Sequence, residues 1–457
     1  MFRRRWSGLP EDPAFPADLE KLGYCVEPKT DEIRLIDGPN YYFNYFQSKS
    51  MRHNDCQRFA FNTAVQEQLI YPRLEALGLA KLALPLGTAT AQPHVPIFVS
   101  PGLKNKKRVV LIVGESEQEL GVLAHRVIGG AGGVDKGSMV GIARAILQDQ
   151  GEDQVDGAAT TSAIDTDTSD NAPGLILANT GELWWWPEGG RGLTPRGFQG
   201  APMRSAVHWG RFRDDGPHSA NTVPRNGSPA AHVSCVFEQV VGNADLVAAD
   251  AVVQVVGVGD GAAAAARTLD ANWARWGGMV GCLAMCGSGL DAGSKARLYI
   301  TCHEPAGTLI SGPDGNDRTV LPTDYGTYIF SSGERYYTEL TLIKARDVLL
   351  AWLAEVDRAG ASYANPEVEV TYADELGGAE PTWAARGGGG ACEDGPASGA
   401  AAAAGFQMPT REEEKESGLE IISREEWEDR LRREGKAVSG NVSDDGKPTE
   451  GPGGNRR

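Results

Sequence analysis

Four short apolar runs, rich in β-branched residues, constrain this chain most: Val109–Val113, Leu175–Ala178, Val252–Val256 and Val280–Met285. A run without polar alternation suits a strand buried on both faces, because neither side of it can be given to water. Ser138–Leu147, Ala231–Val241 and Gly261–Trp276 carry helical spacing between these runs. Leu298–Thr301 and Tyr328–Phe330 read as further strands, and Leu340–Val356 as a long amphipathic helix. Strand alternating with helix predicts an α/β fold: a mainly parallel sheet with helices on both faces.

Composition sets the limits of that core. Residues 1–100 hold a helix near Arg58–Gly78 and turns rich in Pro and Tyr, and read as an N-terminal extension packed on a core of 101–357. Inside the core, 149–172 is acidic, lacks Lys and Arg, and reads as a flexible surface loop. From residue 361 onward there are 11 basic and 20 acidic residues amid glycine and alanine tracts, so 358–457 is expected to be a disordered tail. One capping-box pattern, Ser423-Arg424-Glu425-Glu426, predicts a short helix near 423–434. No run of eighteen apolar residues suggests a spanning helix, and the N-terminus lacks the apolar core of a secretory signal. Seven scattered cysteines without a CxxC pair predict reduced thiols in a reducing compartment and no metal site.

The segment Val252–Ala266 is the most informative. A strand ends in Gly257-Val258-Gly259-Asp260-Gly261 and enters a helix at once. Gly257, Gly259 and Ala262 fit a dinucleotide fingerprint, which would place a pyrophosphate at a helix N-terminus. That reading also needs an acidic residue ending the next strand, and the first one, Asp291, comes late. The other reading is a nucleophile elbow, where small flanking residues let the chain turn so sharply that the central side chain is exposed. Gly257 and Gly261 match the flanks, but the centre is Gly259, which supplies no attacking atom. The lone histidine after the turn, His303, follows the strand where the acid of such a triad stands, and none follows the last strand. The chain therefore reads as a hydrolase-shaped protein with no catalytic residue and no cofactor. The alternative is an esterase-like hydrolase with a displaced set, Asp260 or Ser288 with His303.

Two other segments carry signals. Gly129–Ser138 is glycine-rich, but Lys136-Gly137-Ser138 inverts the phosphate-loop order, so it reads as a turn before a helix capped by Ser138. From Trp184 to Arg213, Trp184, Trp185, Trp186 and Trp209 interleave with Arg191, Arg196, Arg204, Arg211 and Arg213. Aromatics stack on bases and arginines clamp phosphates, so this stretch is a candidate contact for RNA or a protein partner. The plainer alternative is a loop whose tryptophans pack on the core. The net charge of −17 favours a protein partner over a phosphate backbone.

Eight blocks in order resemble the fungal Arb-two domain family. They begin at Pro16–Tyr24, Pro93–Ile97, Lys107–Val110, Gly137–Val140 and Asn179–Glu182, and continue through Gly257–Gly261, His303-Glu304-Pro305 and Ser331–Glu334. The likeness spans about 10–357. It implies an α/β-hydrolase-like fold and a nuclear protein that partners Argonaute, holds small-interfering RNA and couples RNA interference to heterochromatin. It also puts Gly259 where animal relatives carry a serine, and Tyr337 where they carry a histidine. Hydrolase chemistry is therefore not implied for this chain.

Overall fold

The apolar runs meet edge to edge in one sheet. A computed structural model describes residues 9, 11–148, 172–203, 221–287, 298–301, 320–321, 329–332, 334 and 337–363. They all fall in a compact unit, Met1–Glu380; a second unit, Pro381–Arg457, lies outside them. The acidic segment 149–171, the tail beyond 363 and the helix expected near 423–434 also lie outside.

Strands β1 (Tyr24–Val26) and β2 (Ile33–Leu35) pair antiparallel. Helix α1 (Met51–Ala64) continues through a π-helical turn, Val65–Ile70, into α2 (Tyr71–Ala76). Next come β3 (Ala80–Leu84), β4 (Val95–Val99) and β5 (Arg108–Val113), then α3 (His125–Ile128), α4 (Gly133–Gly137) and α5 (Met139–Gln148). β6 (Gly174–Ala178) is followed by a hairpin of β7 (Trp184–Trp186) and β8 (Arg191–Leu193), then by α6 (Pro195–Gly200) and α7 (Pro229–Val236). Among the described residues there follow β9 (Val252–Val258), α8 (Asp260–Ala271), α9 (Trp273–Trp276), β10 (Val280–Cys286), β11 (Leu298–Thr301), β12 (Val320–Leu321), β13 (Ile329–Ser331) and α10 (Thr341–Ala359).

Among the described residues the sheet runs β12-β13-β11-β10-β9-β5-β6-β4-β3. The six strands from β13 to β6 are parallel, and β12, β4 and β3 are antiparallel additions. Side-chain alternation splits its burial. Val110, Ile112, Val256, Val258 and Ala284 face one core with α1, α2, α5 and α10. Val109, Leu111, Val113, Val253, Val255 and Leu283 face the other, with α7 and α8. The expected α/β architecture is therefore present, with helices on both faces.

The segment expected only to pack on the sheet also builds it, because β3 and β4 fall before residue 100. Pro96 hides β4 from a sequence reading, since proline cannot donate to a ladder. It opposes Ala83 in the β3 register, while β6 pairs only with Phe98 and Val99. Helix α1 starts seven residues earlier than the helix expected at Arg58, on a Ser50 cap whose hydroxyl accepts from the His53 N–H at 3.4 Å.

Candidate functional site at the carboxyl edge of the sheet

Strand β9 runs straight into α8 through Gly259, whose φ of 55° and ψ of −132° lie in the region that favours glycine. Its N–H donates to the Cys286 carbonyl at 2.7 Å, which ties the turn to the end of β10. The flanks are small for a steric reason. A Cβ on Gly257 would strike Ala262, and one on Gly261 would strike the Gly114 carbonyl. The strand–turn–helix geometry of an elbow is thus present in full.

Its central space is filled from the neighbouring strand. A Cβ built on Gly259 would overlap Glu115 Oε1 and Cγ and come within 2.5 Å of its Cδ. Glu115 follows β5, which is paired with β9, so its carboxyl reaches the spot where an elbow side chain would begin. Beside it, Asp260 opens α8 and accepts from the Ser116 N–H at 2.8 Å and from the Ser116 hydroxyl. Burial, then the charges of Asp260 and Glu339, push the Glu115 carboxyl up to about 7. Glu339 accepts from Arg126 Nε at 2.9 Å, and that guanidinium lies 3.5 Å over the Tyr337 ring. Tyr337 is exposed at the rim.

This arrangement can hold a proton near neutral pH, and the residue at its centre offers no attacking atom. Among the described residues, the histidines have other contacts. His125 Nε2 meets Glu119 Oε2 at 2.5 Å. Burial opposes that carboxylate's charge, but His125 overrides it and holds Glu119 down to about 2. His232 is fully buried, with Nδ1 2.7 Å from Asn226 Oδ1 and Nε2 accepting from the Asn179 N–H at 3.0 Å. Burial alone pushes it down to about 3. His94 tilts against Trp185, and His53 packs edge-on to Phe15. Ser288 and His303 lie outside the described residues. The dinucleotide reading meets two carboxylates, Glu115 and Asp260, at the helix N-terminus where a pyrophosphate would sit, and like charge opposes it there.

The tryptophan–arginine stretch divides. Trp185 is buried with Val95, Leu183 and Val223, while Trp184 and Trp186 flank it half-buried on β7. Arg191 turns inward, donating to Glu67 Oε1 at 2.8 Å, Gln66 Oε1 at 2.5 Å and Glu182 Oε1 at 3.0 Å. An arginine so engaged brings little charge to a phosphate. Arg196 is largely exposed, 3.6 Å from Glu117. Arg204, Trp209, Arg211 and Arg213 lie outside the described residues.

Sequence reading passed over Glu115 and the network around Glu182. Glu115 carried one legible signal: it stands two residues past a buried parallel strand, and the carboxyl ends of such strands form the ligand edge of α/β sheets. Ser138 is buried and accepts from the Val140 N–H at 3.3 Å, as expected of a cap. A comparison with protein-family models matches the Arb2 domain over residues 15–294. No curated protein and no solved structure matches the chain.

Proposed function

The chain belongs to the Arb2 domain family, and from that premise we propose that it is a noncatalytic adaptor with the contour of a hydrolase. One observation carries the reading: at the elbow the nucleophile position is Gly259, and the carboxyl of Glu115 fills the space beside it. With that space taken by the Glu115 side chain and no side chain on Gly259, nothing at the turn is placed to attack an ester carbonyl. On this reading the fold is kept as a rigid platform while its chemistry is gone.

The finer proposal follows the resemblance of the sequence blocks. The adaptor acts in the nucleus beside Argonaute or chromatin-silencing factors, in small-RNA-guided heterochromatin formation. The acidic net charge of −17 favours protein partnership over direct RNA contact. Affinity purification of the full chain with quantitative mass spectrometry tests it, with enrichment of Argonaute or silencing-factor peptides expected. The rival reading is an esterase-like enzyme using Asp260, or Ser288, with His303. It would be established by turnover of aryl esters that disappears in Asp260→Asn or His303→Ala.

A further inference from the structure

Two residues singled out in the sequence, Trp186 of β7 and Arg191 of β8, line one pocket. Trp186 and Arg191 meet Phe15, Phe59 and Thr63 around a cavity of about 230 Å³, with Glu67 at its edge. Phe59 and Trp186 stand edge to face, ring centroids 5.8 Å apart at 84°. Both rings are part-exposed and packed on each other, so these two walls stand in place in the free chain. We propose that this pocket is a protein-docking site that takes one aromatic side chain of a partner, flanked there by lysine or arginine.

Size argues for an anchor and against a cofactor. Small-molecule sites usually enclose ~300–1,000 Å³, and this pocket falls below them. A single buried aromatic in a preformed pocket is the usual high-energy contact of a protein interface. Charge then selects the neighbours of that anchor. The Glu67 side chain is 51% exposed and spends Oε1 on Arg191. Arg191 is itself balanced by Glu182, so the wall offers a partner carboxylate rather than a spare cation. Glu188, two residues beyond Trp186, and Glu11, two before Pro13, are exposed carboxylates, while the cations of the same segments are engaged elsewhere, Arg58 over the Tyr45 ring and Arg196 beside Glu117. A nucleic-acid base could stack on Trp186, but its phosphates would face these carboxylates, and affinity for nucleic acid is carried mainly by phosphate contacts. The inference does not depend on the elbow being inert.

The test uses the full chain and three probes observed by fluorine NMR. They are acetyl-Lys-(5-fluorotryptophan)-Lys-amide, its Glu-flanked twin, and a fluorinated ten-nucleotide oligouridine. The basic peptide is expected to bind, and the acidic twin to bind several-fold more weakly. Thr63→Trp, which puts an indole on a lining residue of the pocket, is expected to cut basic-peptide affinity by about ten-fold or more. Glu67→Gln, on an exposed residue and nearly isosteric, is expected to narrow the gap between the two peptides while leaving the fold intact by circular dichroism. The proposal is overturned if the two peptides bind alike, if neither binds at millimolar concentration, or if both substitutions leave binding unchanged. It is also overturned if the oligouridine binds in a Thr63→Trp-sensitive manner and the peptides do not.

Discussion

Position 259 couples backbone conformation to the side chain of another strand. A serine there would adopt a positive φ and would also have to displace the Glu115 carboxyl. Gly259→Ser is therefore expected to cost about 2–4 kcal/mol, part from the backbone and part from the collision. Glu115→Ala removes the collision but not the backbone strain. The double variant should then be more stable than the sum of the singles predicts, by about 1–2 kcal/mol. Urea denaturation of the four proteins measures this coupling, and strict additivity would refute the contact. The glycine was legible in the sequence because an elbow has fixed flanks. Glu115 was not, because its role arises from the pairing of β5 with β9, two strands far apart in the chain, and no local pattern encodes that register.

Elements differ in how openly they announce themselves. The buried parallel strands were readable because apolar β-branched runs have few other uses, and each of β5, β6, β9 and β10 lies where its run predicted. The β7–β8 hairpin was harder, since three tryptophans and an arginine suit a ligand surface and a packed corner equally well. What separates the two is the partner set, and Glu182 supplies it. Its carboxylate also accepts from the Leu120 N–H at 3.0 Å and from Asn179 Nδ2 at 2.9 Å, so it joins β8 to the loop after β5 and to the end of β6. The side chain of Glu182 is 2% exposed, and removing its cation leaves a buried charge uncompensated. Arg191→Met is expected to lower stability by about 3–5 kcal/mol, whereas pairing it with Glu182→Gln should recover part of the loss. Denaturation midpoints decide this; a loss below that of an ordinary surface substitution would mean that the hairpin is not held by this pair.

Across the whole molecule, two groups near the carboxyl ends of the neighbouring strands β5 and β6 set opposing responses to pH. Burial and then the nearby Asp260 and Glu339 carboxylates raise Glu115 from 4.5 to about 7 in the fold. The stability tied to its protonated form is present below about 4.5 and is lost as pH rises toward 7. Burial lowers His232 from 6.5 to about 3, so the neutral ring's contribution is present above about 6.5 and is lost as pH falls toward 3. Between about 4.5 and 6.5 the two slopes oppose, each at most about 1.4 kcal/mol per pH unit, and the profile is expected to be nearly flat. Below that window His232 acts together with Glu119, held at about 2, and stability falls. Glu115→Gln removes one of the opposing slopes. Its stability should climb with pH through the window, gaining up to about 3 kcal/mol over the parent by neutrality, less whatever solvent screening takes from a part-exposed carboxyl. Urea titrations of both proteins at intervals across this range measure the difference. Parallel profiles would show that Glu115 carries no raised affinity for a proton, and that the carboxyl at the elbow lies in ordinary solvent.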